Sequence, residues 1–532
     1  MDYRYRLVPF QASIVLSLLC LLLSFVSIWF FLLFLLFGAA VLLGVYDQKQ
    51  KKRSLPRNYP IWGRMRYFIE GLGPALRQYI VESNKEGKPF DRDFRSLVYQ
   101  RAKNIEAKKA FGTELDVYSP THVWVGHSIA PRPVAEDLPR VEIGGPDCGR
   151  PYSASIFNIS AMSFGSLSAN AILALNKGAR KGNFYHTTGE GAISRYHRQP
   201  GGNLVWQIGS GYFGCRAADG SFDPGLFAET AADDQVKMIE IKLSQGAKPG
   251  HGGILPAAKI TAEIAETRKI PMGIDCVSPA YHSAFSTPLE LIEFIARLRE
   301  LSGGKPVGFK FCLGHPWEFL AICKAMLEVG TGPDFIVVDG AEGGTGAAPL
   351  EFSDRLGFPL REGQTFVHNA LVGCNLRDRI KIGASGKIAT AGSIGAALAF
   401  GADYTNAARS FMFCLGCIQA QECHTNHCPV GVATQNRELQ KALDPDIKAD
   451  RVCNYHRNSL RVLNEIIAAV GLDHPRELQP SHIFQRTGTV GIKTYAELYT
   501  RLEKGELLEG TEHPVYARYW LMAQAESFKP AY

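Results

Sequence analysis

Between about residues 151 and 410, short β-branched and aromatic runs alternate with stretches that carry apolar residues at helical spacing, and this alternation restricts the fold more than any other feature. The runs are "SIFNISAM", "NLVWQIG", "KMIEIKL", "PMGIDCV", "PVGFKFC", "DFIVVDG", "RIKIGASG" and "DYTNAAR". The intervening stretches include "SANAILALNKGARKG", "PAAKITAEIAETRK", "PLELIEFIARLRELS", "EFLAICKAMLEVG" and "AGSIGAALAFG". A period of two giving way to one of 3.6 predicts parallel strands joined by crossover helices, an α/β architecture. About eight such units in roughly 270 residues is the size of a closed (β/α)8 TIM barrel, with a doubly wound open sheet as its competitor. Polar and glycine-rich residues follow nearly every strand, as they do when eight loops share one mouth, which favours the barrel.

A second constraint lies at the N-terminus. Residues 11–46 read "QASIVLSLLCLLLSFVSIWFFLLFLLFGAAVLLGVY", uncharged throughout, where about 20 apolar residues cross a bilayer once. A secretory signal has a shorter apolar core, so a membrane anchor is expected, either one long tilted helix or, preferred, a helical hairpin turning at Ser24 or Ser27. Both flanks, "MDYRYR" and "DQKQKKR", are basic, which keeps them and the bulk of the chain on the cytoplasmic side. The net charge of +7 concentrates in residues 47–110, which hold 16 Lys/Arg against seven Asp/Glu. That suits helices beside anionic lipid. No basic stripe with interleaved aromatics runs through the main body, which argues against a nucleic-acid partner. The expected organisation is a transmembrane segment 1–46, a basic juxtamembrane region 47–110, the barrel with its appendages 111–480, and a tail 481–532 without interpretable motif.

Several strand-end loops carry chemistry. "GASGKIATAGSIG" places Gly386 and Lys387 before a helix N-terminus, and "NAARSF" places Arg409 and Ser410 one strand later; together they suit a phosphate held by the last two loops of a barrel. "DGAEGGTGAAP" leaves backbone bare at Gly343, Gly344 and Thr345, so that a flat cofactor or small acid can approach closely. Lys310, between apolar neighbours in "GFKFC", calls for an anionic partner, a role a reduced flavin ring fills. "IEIKLSQGAKPGHGGILP" groups Lys242, Gln245 and Lys248 where a dicarboxylate can bind, and "TTGEGA" supplies Glu190 between glycines.

The segment "CLGCIQAQECHTNHCP" concentrates four of the twelve cysteines; the others are scattered singly and expected as reduced thiols. Cys414 and Cys417 make one C-x2-C, so zinc with His424 or His427 is one reading. Cys417, Cys423 and Cys428, closing on Pro429, fit an iron–sulfur site, the other.

With these motifs in order, the sequence resembles the FMN-binding synthase domain of glutamate synthase over roughly residues 110–480, through "SAMSFGSLS", "TTGEG", "QGAKPGHGG", "DGAEGGTGAAP" and "CHTNHCPVGVATQ". The resemblance implies FMN at the C-terminal face of the barrel, its phosphate near Gly386, Lys387 and Arg409 and its ring near Met162, Ser163, Gln207 and Lys310. It implies a [3Fe–4S] cluster on Cys417, Cys423 and Cys428, with Cys414 outside the pattern. It also implies 2-oxoglutarate held by Lys242, Gln245, Lys248 and Arg268, and ammonia or the imine ordered by Glu190. The activity implied is reductive amination of 2-oxoglutarate with ammonia, fed by an external electron donor, a ferredoxin or an NAD(P)H-oxidising partner. Two departures bear on the substrate: the family's "GEGGQLP" reads "GHGGILP", so His251 replaces a carboxylate and Ile254 an amide. The rival readings are the same chemistry on another 2-oxo acid or N-substituted glutamate, and a non-catalytic membrane redox relay.

Overall fold

A computed structural model describes residues 5–532, which divide into two compact units, one ending at Asp93 and the other beginning at Phe94. In the first unit the apolar run folds as two helices, α1 (Val8–Leu23) and α2 (Ile28–Lys49). Ser27, in extended conformation, breaks them apart. They pair antiparallel: Phe10 fills the space at Gly44, where a Cβ would fall 2.2 Å from its ring, and Ser17 faces Gly38. At 1.5 Å per residue α2 is about 33 Å long and α1 about 24 Å. Of the two, α2 is long and apolar enough to cross a bilayer. The buried carboxylate of Asp47 accepts from Ile61 N–H at 3.1 Å and pairs with Arg64 at 2.7 Å, fixing the end of α2 to the start of α3 (Trp62–Leu76). On α3, Trp62, Met65, Ile69, Leu72 and Leu76 form an exposed apolar stripe at helical spacing.

The second unit is built on a closed barrel of eight parallel strands: β1 (Phe157–Ile159), β2 (His186–Thr187), β3 (Leu204–Ile208), β4 (Val236–Lys242), β5 (Val307–Phe311), β6 (Phe335–Asp339), β7 (Lys381–Ser385) and β8 (Tyr404–Ala407). The barrel closes where β8 pairs with β1, Thr405 opposite Phe157. Every residue of β3, β5 and β6 is buried, since one face points into the barrel and the other meets the helices. Those helices are α4 (Ala169–Gly182), α5 (Pro224–Ala231), α6 (Pro288–Leu301), α7 (Pro316–Val329), α8 (Leu360–Gly373) and α9 (Ala391–Ala399), followed after β8 by the short α10 (Arg409–Cys414). Their starts are written in the sequence: Ser168 caps α4, and Thr287 with Glu290 forms a capping box on α6. The long α11 (Pro445–Val470) packs so tightly on α4 that a Cβ at Gly178 would lie 2.5 Å from Val452 Cγ1.

The expected strand at "PMGIDCV" is not part of the barrel. Only Cys276–Val277 is extended there, in a two-residue ladder with Ile254–Leu255, while Met272 and Ile274 are exposed. Pro271, Gly273 and Asp275 prevent a continuous ladder. The place in the barrel belongs to β2, two residues long. The tail also has a definite role: Ile483–Arg486 pairs with Val123–Val125, and beyond it Tyr516 OH and the Phe528 carbonyl receive hydrogen bonds from Asn369 on α8 and Trp317 on α7. The tail is a strap across the outer helices.

Candidate active site

The C-terminal ends of the strands gather most of the residues singled out above. Glu190, just past β2, accepts from Lys242 Nζ at the end of β4 at 2.8 Å. Its carboxylate lies in a slot made by two glycines: a Cβ at Gly253 would stand 2.4 Å from Oε1 and one at Gly209 2.7 Å from Oε2. Gly189 takes φ +70° and approaches Ser163 N so closely that a Cβ would sit at 2.7 Å, which brings the loops after β1 and β2 together. Arg268 lies over Gly191, where a Cβ would fall 2.4 Å from Nη2; Nη2 donates to the Phe164 carbonyl at 2.9 Å, and the buried Nε has no hydrogen-bond partner among the described residues.

These charges act as one group. Burial alone would raise the Glu190 carboxyl, but Lys242, with Lys248 and Arg268 behind it, outweighs burial and holds it below the usual carboxylate range. Lys248 is pushed down to about 8, chiefly by burial and then by Lys242. Three cations around one partly exposed carboxylate leave a positive excess, suited to a second, external carboxylate. Gln245 is half-buried in the same loop, its carbonyl accepting from Lys248 N–H at 3.2 Å. Because a neutral lysine no longer pairs with an anion, affinity for an anionic substrate is expected to fall as pH rises through about 8, with wild-type KM climbing and that of Lys248→Met staying flat across the same range. A pH-independent wild-type KM would remove Lys248 from the binding set.

Further into the barrel a polar layer emerges that was not foreseen from the sequence. Lys310 has a protein partner, Asp339 at the end of β6, at 3.5 Å, and Asp339 also accepts from Gly246 N–H at 2.8 Å. Gln207 Nε2 donates to Glu240 Oε1 at 2.5 Å; burial raises the Glu240 carboxyl. The available signal was alternation: Glu240 lies two residues before Lys242 on one strand, so both share a face.

Around the rim, Met162 is buried, its carbonyl 3.3 Å from His197 Nε2, and Ser163 Oγ donates to Ser166 Oγ at 3.1 Å. Gly344 lets Arg409 cross the β6 loop, since a Cβ there would lie 2.5 Å from Nε, and Arg409 donates to the Glu342 carbonyl. Burial lowers the Arg409 guanidinium to about 10. Gly343 closes a turn onto the Gly340 carbonyl at 2.8 Å, whereas Thr345 is exposed with its hydroxyl on the Ala347 carbonyl. Gly386 has φ +148° and Lys387 φ +51°, with the Lys387 side chain outward. Ser410 is buried and donates to the Ile388 carbonyl at 3.1 Å, tying the β7 and β8 loops together. Bare backbone at Gly343, Gly344 and Gly386, with a half-buried Arg409 crossing Gly344, fits a phosphate.

The cysteine loop leaves α10. Cys414 is buried and donates its thiol to the Ser410 carbonyl one turn back, at 3.4 Å. Burial pushes the Cys417 thiol up to about 12, and Cys423 and Cys428 add to the effect, so these three thiols feel one another. His424 and His427 are exposed. Lys259 Nζ pins the loop through the Cys423 carbonyl at 3.0 Å and the Ser166 carbonyl at 2.7 Å. Among the described residues no three His, Cys, Asp or Glu side chains already converge as a metal site. His251 is half-buried against Phe352, and Leu255 rather than Ile254 reaches the space beside Arg268.

Comparison with known proteins agrees with this arrangement. Residues 151–473 match the model of the conserved region in glutamate synthase. The glutamate synthase large subunit-like protein YerD of Bacillus subtilis is 37% identical over 483 residues, covering 83% of this chain and 91% of its own. The archaeal-type glutamate synthase [NADPH] of Thermotoga neapolitana and the archaeal glutamate synthase [NADPH] of Methanocaldococcus jannaschii are each 36% identical, over 315 and 322 residues. The chain spans 59% and 60% of the length of those two proteins and 59% and 60% of itself is matched. With a closed parallel barrel, charged strand-end loops and the family region covering more than half of its length, the chain belongs to the glutamate synthase family.

Proposed function

We propose that this chain is a membrane-anchored glutamate synthase-type oxidoreductase that aminates 2-oxoglutarate reductively with ammonia. The observation that carries the reading is the Glu190–Lys242 pair enclosed with Lys248 and Arg268, a positive pocket with one carboxylate placed to handle a proton. Lys248 and the unpartnered Nε of Arg268 would neutralise the substrate carboxylates. Glu190 would accept a proton from ammonium or orient the imine, and Lys242 keeps it ionised for that purpose. FMN, held by Arg409 and the backbone at Gly343, Gly344 and Gly386, would supply hydride transfer to the imine carbon. Cys417, Cys423 and Cys428 would hold a [3Fe–4S] cluster supplying one-electron transfer from an external ferredoxin or NAD(P)H-oxidising partner. Support for that donor set is the mutual influence of the three thiols and the loop pinned by Lys259. Anaerobically reduced protein mixed with 2-oxoglutarate and ammonium is expected to reoxidise, followed by flavin absorbance, with glutamate appearing; absence of reoxidation with every 2-oxo acid tried would overturn the reading.

Another 2-oxo acid or an N-substituted glutamate is the second reading, favoured by Ile254 and by the exposed apolar Met272, Ile274 and Val277 on the neighbouring segment. A relay without turnover would have no use for a built carboxylate pocket. The antiparallel α1–α2 pair, in which α2 is long enough to cross a bilayer and the shorter α1 packs beside it, and the apolar stripe on α3 support membrane anchoring, with α3 lying in the interface and the basic flanks favouring the cytoplasmic side. The full chain is then expected to stay with membranes through high-salt and carbonate washes and to be released by detergent. Release by salt alone would contradict the anchor.

A further inference from the structure

At the opposite end of the barrel lies a cavity of about 510 Å³, bordered by Arg140, Arg150, Tyr152, Asp234, Lys237 and Lys305. Arg140 and Tyr152 come from an antiparallel hairpin, Arg140–Ile143 with Tyr152–Ser155, that leads into β1. Lys237 is the second residue of β4, and Lys305 stands two residues before β5, so these are N-terminal strand ends. The volume is that of an ordinary small-molecule site.

What distinguishes the cavity is its charge. Four cations line it against one carboxylate, and among the described residues none of the four is in an ion pair, whereas Arg198, Arg299 and Arg377 elsewhere in this unit all are. Lys305 is nine-tenths buried, yet its ammonium is met only by backbone carbonyls, Ala231 and Asp233, which leaves one of three donors over. Arg140 is fixed in place by the Ser153 hydroxyl at 3.0 Å and the Asn183 carbonyl at 2.7 Å. The Arg150 backbone N–H is tied to the Gly304 carbonyl at 2.8 Å, beside Lys305. The charges also repel: burial lowers Lys305, and Arg150 and Lys237 lower it further, with Asp234 opposing them in part. Holding like charges at one opening costs free energy that an anion would return, and two planar guanidiniums with two ammoniums match the several oxygens of a phosphate group.

We propose that this cavity is a second ligand site, binding a phosphate-bearing anion at the N-terminal mouth, away from the Glu190–Lys242 pocket and therefore without competing with the substrate. Whether the phosphate is inorganic or carried by a nucleotide is decided by titration. Flavin-saturated full-length protein in detergent would be titrated calorimetrically with inorganic phosphate, pyrophosphate, ADP and citrate. Pyrophosphate or ADP is expected to bind, and Arg150→Glu/Lys237→Glu to weaken that binding about tenfold or more, with flavin content and melting temperature in the absence of added anion unchanged. The milder Lys237→Gln should weaken it by less. Binding of inorganic phosphate and pyrophosphate without preference for ADP identifies free phosphate, and a preference for ADP identifies a nucleotide. Unchanged affinity in the double variant, citrate binding as tightly as pyrophosphate, or no binding of any probe overturns the proposal.

Discussion

Glu190→Gln is expected to lower kcat/KM by about a hundredfold or more, the usual contribution of a positioned acid–base group, and to destabilise the fold by about 3–5 kcal/mol, the usual cost of removing one partner from a buried pair. The reason is specific to this site. Glu190 pairs with Lys242 and faces Lys248 and Arg268 as well, so a neutral amide removes their shared countercharge and leaves Lys242 only the nearby Glu240. Lys242→Met should also impair turnover, but Glu190→Gln/Lys242→Met should be less destabilised than the sum of the single variants, because each single change already breaks the same pair. The pH dependence has a definite sign. A carboxyl with a folded pKa below its unfolded value contributes stability that is fully present above the ordinary glutamate range, about 4.3, and is lost as pH falls through the folded value. Wild-type protein should therefore lose stability on acidification below that range more steeply than Glu190→Gln, measured by thermal melting between neutral pH and about pH 3. Parallel acid limbs, together with unaltered turnover in Glu190→Gln, would place the active site elsewhere.

Much of the barrel was legible because buried parallel strands must be apolar on both faces: "LVWQI", "VGFKF" and "FIVVD" cannot be much else once helical periods separate them. The error at residues 271–277 and the omission of β2 share a cause. A run with a few β-branched residues was weighted above its Pro, Gly and Asp, while His186–Thr187 is too short to generate any period and owes its conformation to Ile159 and Leu204 on either side. The site divides similarly. Glu190, set between Gly189 and Gly191, lies where bare backbone admits it, because a glycine beside a charge is visible in one dimension, whereas the glycine that admits Arg409 is Gly344, in the loop after β6. Asp339 and Glu240 were missed as partners because pairing across β4, β5 and β6 depends on register, which no local motif records. The cavity at the other mouth assembles residues scattered between 140 and 305 that share no motif.

The cysteine loop gives the second large expected effect, and Cys414 makes it discriminating. Cys417→Ser, Cys423→Ser and Cys428→Ser should each abolish iron binding, since a three-thiolate cluster has no ligand to spare, and activity with an external electron donor should go with it. Cys414→Ser should retain full iron. The Cys414 thiol already donates to Ser410 O within its own helix, it is sealed from solvent, and burial raises its pKa well above the ordinary thiol value against its own backbone and Arg451. Moving it onto a cluster would mean unwinding the end of α10, which also carries Ser410, the tie between the β7 and β8 loops. A four-ligand cluster and an intact Ser410–Ile388 tie are therefore in conflict in this fold, whereas a three-ligand cluster leaves α10 whole. Iron content by elemental analysis, with zinc measured in parallel, separates the possibilities: loss of iron in Cys414→Ser would show that the helix end does rearrange, and zinc in place of iron would turn the loop into a structural clasp, with exposed His424 or His427 drawn in to complete it.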